Sequence, residues 1–282
     1  MQKRILGKTG EKLSILGMGG IVVMNMEQRK ANSVVADAIE RGINYFDVAP
    51  SYGDAEIKLG NALKEKRDRV FLACKTDGRT KREAEKELIE SLKRVGTDHF
   101  DLYQLHAMTT QEDFDAAIGP NGALEAFVKA QKEGLIRYIG FSAHSDKIAI
   151  QLMDAFDFDT ILFPVNWVLA FKAHFGPAVI EKARSKSMGI LAIKALALTT
   201  KSEDDKDHPK SWYTPIEDPK LAALSLRYTL SQPITAAIPP GDERLFPMAI
   251  DIAEHFTPIK EEEIKILKEK ALGLDTIFNS TL

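Results

Sequence analysis

Asp47, Tyr52, Lys75 and His106 are the residues of this 282-residue chain whose types and spacing point most directly to chemistry. They fall at or just beyond the ends of three successive apolar runs: YFDVA (45–49), VFLACK (70–75) and DLYQLH (101–106). Reducing an aldehyde or ketone takes a hydride at carbon and a proton at oxygen. Tyr52 is the natural proton donor, but a free phenol has a pKa of ~10 and releases its proton slowly at neutral pH. A close cation lowers such a pKa by roughly 1–3 units, and Lys75 is placed to be that cation. Asp47 would hold Lys75 in position and keep it charged. His106 would orient or polarise the carbonyl, and acid catalysis of this kind contributes about 10²–10⁴-fold. Taken singly, each residue has a plain structural explanation: a buried ion pair, a rim aromatic, a strand-end histidine. Three consecutive strand ends converging on one face argue for the chemistry instead.

Positioning those ends requires a parallel sheet. Short runs rich in Ile, Val, Leu and Phe recur at 13–20, 44–49, 70–76, 101–106, 136–143, 160–166, 189–197 and 234–240. Amphipathic stretches such as 82–95 and 122–133 separate them, with apolar residues three and four apart. Near-continuous apolar strands imply that both sheet faces are covered. Strand–helix alternation over eight units predicts an α/β fold, a (β/α)8 TIM barrel, whose catalytic groups come from the C-terminal strand ends. Gly42, Gly96, Gly134 and Gly189 follow helix-like segments, where left-handed caps are expected. Lys8-Thr9-Gly10-Glu11 is a turn signal, so the first ~12 residues read as a hairpin closing the barrel bottom. No linker divides the chain, which reads as one domain over 1–282, ending in a charged helix over Glu261–Ala271 and a tail. The polar stretch 199–219, acidic in its middle and carrying Trp212 and Tyr213, reads as a long functional loop.

Composition narrows the classes of function. The chain is 44% hydrophobic and 28% charged, with a net charge of −3, which gives no support for a nucleic-acid or acidic-lipid partner. The single cysteine, Cys74, permits no internal disulfide; on a strand it should point away from Lys75. The polar N-terminus and the absence of a long apolar run predict a cytoplasmic protein without a membrane segment. His99, His144, His174, His208 and His255 lack metal-ligand spacing, so no metal is expected.

The stretch NYFDVAPSYGDAEIKLGNAL (44–63) resembles the signature of the aldo-keto reductase superfamily: an aspartate, four residues, Tyr-Gly, then Leu-Gly. LGKTGEKLSILGMGG, CKT, DLYQLH and IGFSAHS resemble its other motifs in the same order, so the likeness runs from about Arg4 to about Ile252. The resemblance implies that Asp47, Tyr52, Lys75 and His106 form the family's catalytic tetrad in an NAD(P)H-dependent carbonyl reductase, with Tyr52 as general acid. NADPH is the implied cofactor, with NADH as the alternative, and a small carbonyl compound the substrate. Carried over position by position, Gly20, Asp47, Ser142, Asn166, Lys194, Gly241, Arg244 and Asp251 would contact the cofactor. Leu162 and Ile193 stand where the family commonly has glutamine and a stacking tyrosine. Trp167, Trp212 and Tyr213 would line the substrate pocket with Tyr52 and His106. The expected assembly is a monomer or small homo-oligomer. The departures from the pattern also admit a cofactor-binding redox sensor or regulatory subunit with little turnover.

Overall fold

The computed structural model describes all residues except 203 and 205, so part of the acidic middle of 199–219 lies outside the described residues. An antiparallel hairpin opens the chain, β1 (Lys3–Ile5) and β2 (Lys12–Ser14). Its turn passes through Gly10 at φ 78°, a left-handed conformation that glycine adopts without steric cost.

Eight parallel strands follow around the molecule. The first seven are β3 (Met18–Gly19), β4 (Tyr45–Asp47), β5 (Phe71–Thr76), β6 (Phe100–Met108), β7 (Ile136–Ala143), β8 (Thr160–Pro164) and β9 (Gly189–Ile193). A second antiparallel hairpin, β10 (Ala197–Thr200) with β11 (Tyr213–Pro215), precedes the last barrel strand, β12 (Ala236–Ala237). The ring closes where Ala237 N–H donates to Ile15 O and Gly17 N–H donates to Ala237 O, both at 2.9 Å.

The helices are α1 (Gln28–Glu40), α2 (Ala55–Leu63), α3 (Lys81–Val95), α4 (Gln111–Ile118), α5 (Ala123–Lys132) and α6 (Asp146–Ala155). The remainder are α7 (Trp167–Lys172), α8 (Pro177–Ser185), α9 (Pro219–Ser231), α10 (Leu245–Glu254) and α11 (Glu261–Ala271). Local sequence sets several boundaries. Thr80 and Glu83 form a reciprocal capping box at the start of α3, and Gly96 at φ 73° ends it.

Strand parity places the chemistry. Tyr45, Phe71, Ala73, Leu102, Leu162 and Leu191 fill the barrel interior, with Leu6 and Leu13 of the first hairpin plugging its bottom. Phe46, Leu72, Cys74, Tyr103 and Leu105 belong to the outer core shared with the helices. Side chains alternate along a strand, so Asp47, Lys75 and Gln104 share the inward parity while Cys74 turns outward.

Three expectations are corrected. Residues 13–20 make two short strands, because Ile15–Gly17 is spent on closing the ring against Ala237. The stretch 199–219 is not loop throughout, since its ends pair as β10 and β11. Gly42 and Gly134 are left-handed as expected, at φ 90° and 76°, but after α8 that role falls to Ser187 at φ 55°. Gly189 is glycine for space: an added Cβ would lie 2.4 Å from the Leu6 side chain.

Candidate active site

At the C-terminal strand ends a cavity of about 340 Å³ is lined by Asp47, Tyr52, Lys75, His106, Ser142 and residues of the β9 and β12 ends. Its floor is a buried ion pair. Lys75 Nζ donates to Asp47 Oδ1 and, at 3.3 Å, to Val48 O. The other carboxylate oxygen accepts from Gln104 Nε2 at 3.0 Å and Tyr45 OH at 3.2 Å. A buried carboxylate is tolerated because both oxygens are satisfied. Burial alone would push the Lys75 ammonium down, but the charge and hydrogen bond of Asp47 oppose it, so Lys75 is raised and stays charged.

Tyr52 stands beside this pair, with Lys75 Nζ 5.1 Å from its ring centroid and the His106 ring edge-on at 5.8 Å. Burial pushes its phenol up, and the opposing charge and hydrogen bond of Lys75 do not cancel that. The expected net lowering is therefore corrected: desolvation of the phenol outweighs the effect of Lys75.

His106 is held from behind. Its Nδ1 meets Asp77 Oδ1 at 2.6 Å, and its carbonyl accepts from Arg79 NH2 at 2.7 Å. The next residue, Ala107, has φ 50°, and its N–H donates to Ser142 Oγ at 2.7 Å. A left-handed non-glycine residue costs of order 1–3 kcal/mol and persists only when its surroundings hold it.

The opposite wall is built from β9 and the second hairpin. Lys194, also left-handed at φ 67°, lays its Nζ 4.9 Å from the Trp212 centroid and 4.8 Å from that of Tyr213. Burial and the charge of Lys75 push it down to about 8. His144 lies near Lys194 and His106; burial first, then their charges, push it down to about 3, so its imidazole is neutral. The C-terminal tail covers this side. Phe278 stacks on His144 at 4.9 Å and meets Trp212 edge-on at 5.4 Å, while Ser280 and Thr281 bind Asp146. An adjoining cavity of about 370 Å³ shares Lys210 and Ser211 with the first and is lined by Asp242 and Arg244.

Several sequence-chosen residues do not reach these cavities. Asn166 is a structural clamp: Oδ1 accepts from Val168 and Leu169 N–H, capping α7, and Nδ2 donates to Lys194 O and Ala197 O. That occupies both donors and both lone pairs of the amide. Trp167 is fully buried, with Nε1 on Ser225 Oγ at 2.9 Å, and belongs to the outer core. Asp251 lies in the last turn of α10, held at 2.5 Å by Arg41, which follows the last residue of α1, far along the helix from the strand ends. Arg244 does border the adjoining cavity, but its guanidinium is bound to Asp242 at 2.7 Å and to Asp207 O and His208. Gly20 starts a tight turn whose neighbours Gly19 and Ile21 line the cleft.

The strand pattern also carries signals for further residues at the site. Tyr45 and Gln104 stand two residues before Asp47 and His106, hence on the same face. Asp77 and His144 are polar residues beside strand ends already chosen. For Phe278 the sequence carries no signal, because only folding brings the tail across the barrel mouth.

Residues 15–270 match the aldo/keto reductase family over most of the barrel. The chain belongs to that family. It is an oxidoreductase with the family's architecture. An uncharacterized oxidoreductase of Bacillus subtilis, YqkF, is 28% identical over 95% of this chain and 96% of its own length. L-galactose dehydrogenase of Arabidopsis thaliana is 27% identical over 80% of this chain and 73% of its own. Among solved structures, the holo form of the aldo-keto reductase AKR11C1 from Bacillus halodurans superposes with a TM-score of 0.76, covering 98% of both chains. Its 22% identity is evidence for the shared fold alone. Among the described residues no helix is long and apolar enough to cross a membrane, and no cluster of side chains could hold a metal ion.

Proposed function

We propose that this protein reduces an aldehyde or ketone to an alcohol with NADPH, and that Tyr52 delivers the proton. The observation that carries this reading is the buried Lys75–Asp47 pair beneath Tyr52, with His106 on the other side of the same cavity. A bound nicotinamide supplies a hydride to the carbonyl carbon. The substrate oxygen, in contact with Tyr52 and His106, then takes the phenolic proton, and Lys75 stabilises the phenolate left behind until solvent reprotonates it. Asp47 keeps Lys75 charged and fixed, so its effect reaches the substrate through the other two residues.

The mouth fits such a cofactor. Gly19, Ile21 and Ile238–Gly241 line the cleft beside the tetrad, and Gly241 is packed so closely on Ile21 that an added Cβ would lie 2.2 Å from its side chain. Ser142 and Lys194 offer polar groups at the nicotinamide end, and Lys210, Gly241 and Arg244 suit phosphates. Trp212, Tyr213, His144 and Phe278 give the substrate side an aromatic wall, which favours aromatic or medium-sized apolar carbonyl compounds. The segment 207–213 separates the two cavities and would lie across an extended dinucleotide, ordering further when it binds.

The test is to mix the protein with NADPH and a panel of carbonyl compounds and follow absorbance of the reduced nicotinamide. Loss of absorbance that depends on a carbonyl compound and on Tyr52 supports the reading. Tight NADPH binding without turnover of any compound would replace it with the cofactor-binding sensor.

A further inference from the structure

Asp77 belongs to no part of the tetrad, yet it is the group bonded directly to the side chain of His106. The loop between β5 and α3 is built to hold it there. Glu87 accepts from Thr76 Oγ1 at 2.6 Å and from Asp77 N–H at 2.9 Å, and Gly78 N–H donates to Thr76 Oγ1 at 3.0 Å. Arg79, in the same loop, ties the His106 carbonyl to Asp113 on α4. The backbone carrying each side chain is thus held on either side of a 2.6 Å contact between the half-exposed carboxylate and the ring. Ionised carboxylates accept only, so Nδ1 must carry the proton in that contact. His106 above all, with help from Ser51 and Arg79, holds the Asp77 carboxyl below its ordinary range, so it is ionised near neutral pH.

We propose that Asp77 is a positioning residue that confines His106 to the Nδ1–H form, so that Nε2 donates to a substrate oxygen only when the ring is an imidazolium. This deepens the carbonyl-reductase reading and rests on it. A neutral imidazole has one N–H; with Nδ1–H committed to Asp77, Nε2 is an acceptor and cannot stabilise charge growing on a carbonyl oxygen. Protonation gives Nε2 a charge-assisted donor aimed at that oxygen, and such donors are the strong ones. Reduction would then need the imidazolium, and alcohol oxidation the neutral ring.

The other charged and titratable groups around His106 leave Asp77 in this role. Lys75 is paired with Asp47, Arg79 with Asp113, and Tyr52 presents its ring edge-on. Across the cleft His144 is neutral, and Lys194 stands over Trp212 and Tyr213.

Two measurements on the whole protein decide it. The first reads the His106 ring by ¹⁵N-edited NMR across pH, assigned among the six histidines by its loss in His106→Gln. The expected neutral form is Nδ1–H in the wild type, giving way to Nε2–H in Asp77→Asn, whose amide can donate to Nδ1. The second is the pH profile of carbonyl reduction. In the wild type kcat/KM should fall as pH rises and the ring is left neutral. Asp77→Asn should be free of that alkaline fall, because its neutral ring still presents Nε2–H to the substrate oxygen. A wild-type neutral ring in the Nε2–H form overturns the proposal, as does an unchanged profile in the variant. If no carbonyl compound is reduced, the reductase reading fails, while the NMR result still decides the role of Asp77.

Discussion

The two sides of the barrel mouth use polar strand ends in opposite ways. On the β4–β6 side, Asp47, Lys75 and His106 point into the cavity, and the groups around them serve the site: Tyr45 and Gln104 satisfy Asp47, and Asp77 holds His106. On the β8–β9 side, Asn166 and Trp167 serve the scaffold instead, clamping the backbone after β9 and anchoring α7 in the core. The only ionisable strand-end group facing the cleft there is Lys194, held by aromatic rings rather than by a carboxylate among the described residues. One side pairs its charges, and the other packs them against rings. A paired side is suited to moving a proton at fixed geometry, and an aromatic side to accepting apolar substrates of different shape.

That contrast predicts where substitutions hurt. The largest effect should come from Tyr52→Phe, lowering kcat by about 10²–10⁴-fold with cofactor affinity nearly unchanged, because the hydroxyl matters only as charge develops. More than a tenth of wild-type kcat would remove Tyr52 from its role. Lys75→Met should be comparably damaging to kcat and should also cost roughly 3–5 kcal/mol of stability, because it strands Asp47 as a buried charge without its partner. Calorimetry beside kinetics separates the two losses.

On the other side the losses should be structural. Asn166→Ala removes a helix cap and two further hydrogen bonds, so about 2 kcal/mol, or roughly 4–8 °C in Tm, is expected, with the KM for cofactor little changed. A cofactor KM raised tenfold at unchanged Tm would make Asn166 a ligand-binding residue after all. At the adjoining cavity, Arg244→Ala should weaken NADPH by roughly 10-fold and leave NADH alone. Its existing pair with Asp242 has to be broken or shared to bind a phosphate, which keeps the effect near the lower end for a charge-assisted contact. Equal loss for both cofactors in a binding titration would remove Arg244 from cofactor discrimination.

The smallest effect concerns Lys194. Its value near 8, below the ordinary 10.5, means that the native state binds fewer protons than the unfolded chain between those limits. Stability should therefore rise with pH from about 8 to 10.5, and Lys194→Met should flatten that part of the curve by on the order of 1 kcal/mol. Denaturation midpoints at pH 7.5 and 10 check it; identical slopes in wild type and variant would show that Lys194 is solvated rather than buried.

The ranges where sequence reading succeeded and failed follow from the range of the forces involved. Strand parity is local: a period of two puts Lys75 inside and Cys74 outside whatever the rest of the chain does, and it equally aligns Tyr45 with Asp47 and Gln104 with His106. Apolar periodicity likewise makes α3 legible within one residue of its observed start. Hydrogen bonds between distant segments are not local. Whether the Asn166 amide faces a ligand or the backbone of Lys194 and Ala197 depends on how the chain turns after β9, and no neighbour in sequence reports that turn. Asp251 looked available until α1 brought Arg41 against it.

By itself, then, the sequence determined a parallel barrel and singled out Asp47, Tyr52, Lys75 and His106 as polar residues at neighbouring strand ends, because alternation and strand ends are written in short windows. The tertiary structure alone decided that burial pushes the Tyr52 phenol up, which polar groups were already spent, and that Asp77, Gln104 and Phe278 come to lie beside the candidate site. Those outcomes rest on burial and on contacts between segments tens to hundreds of residues apart, and such quantities exist only once the chain has closed on itself.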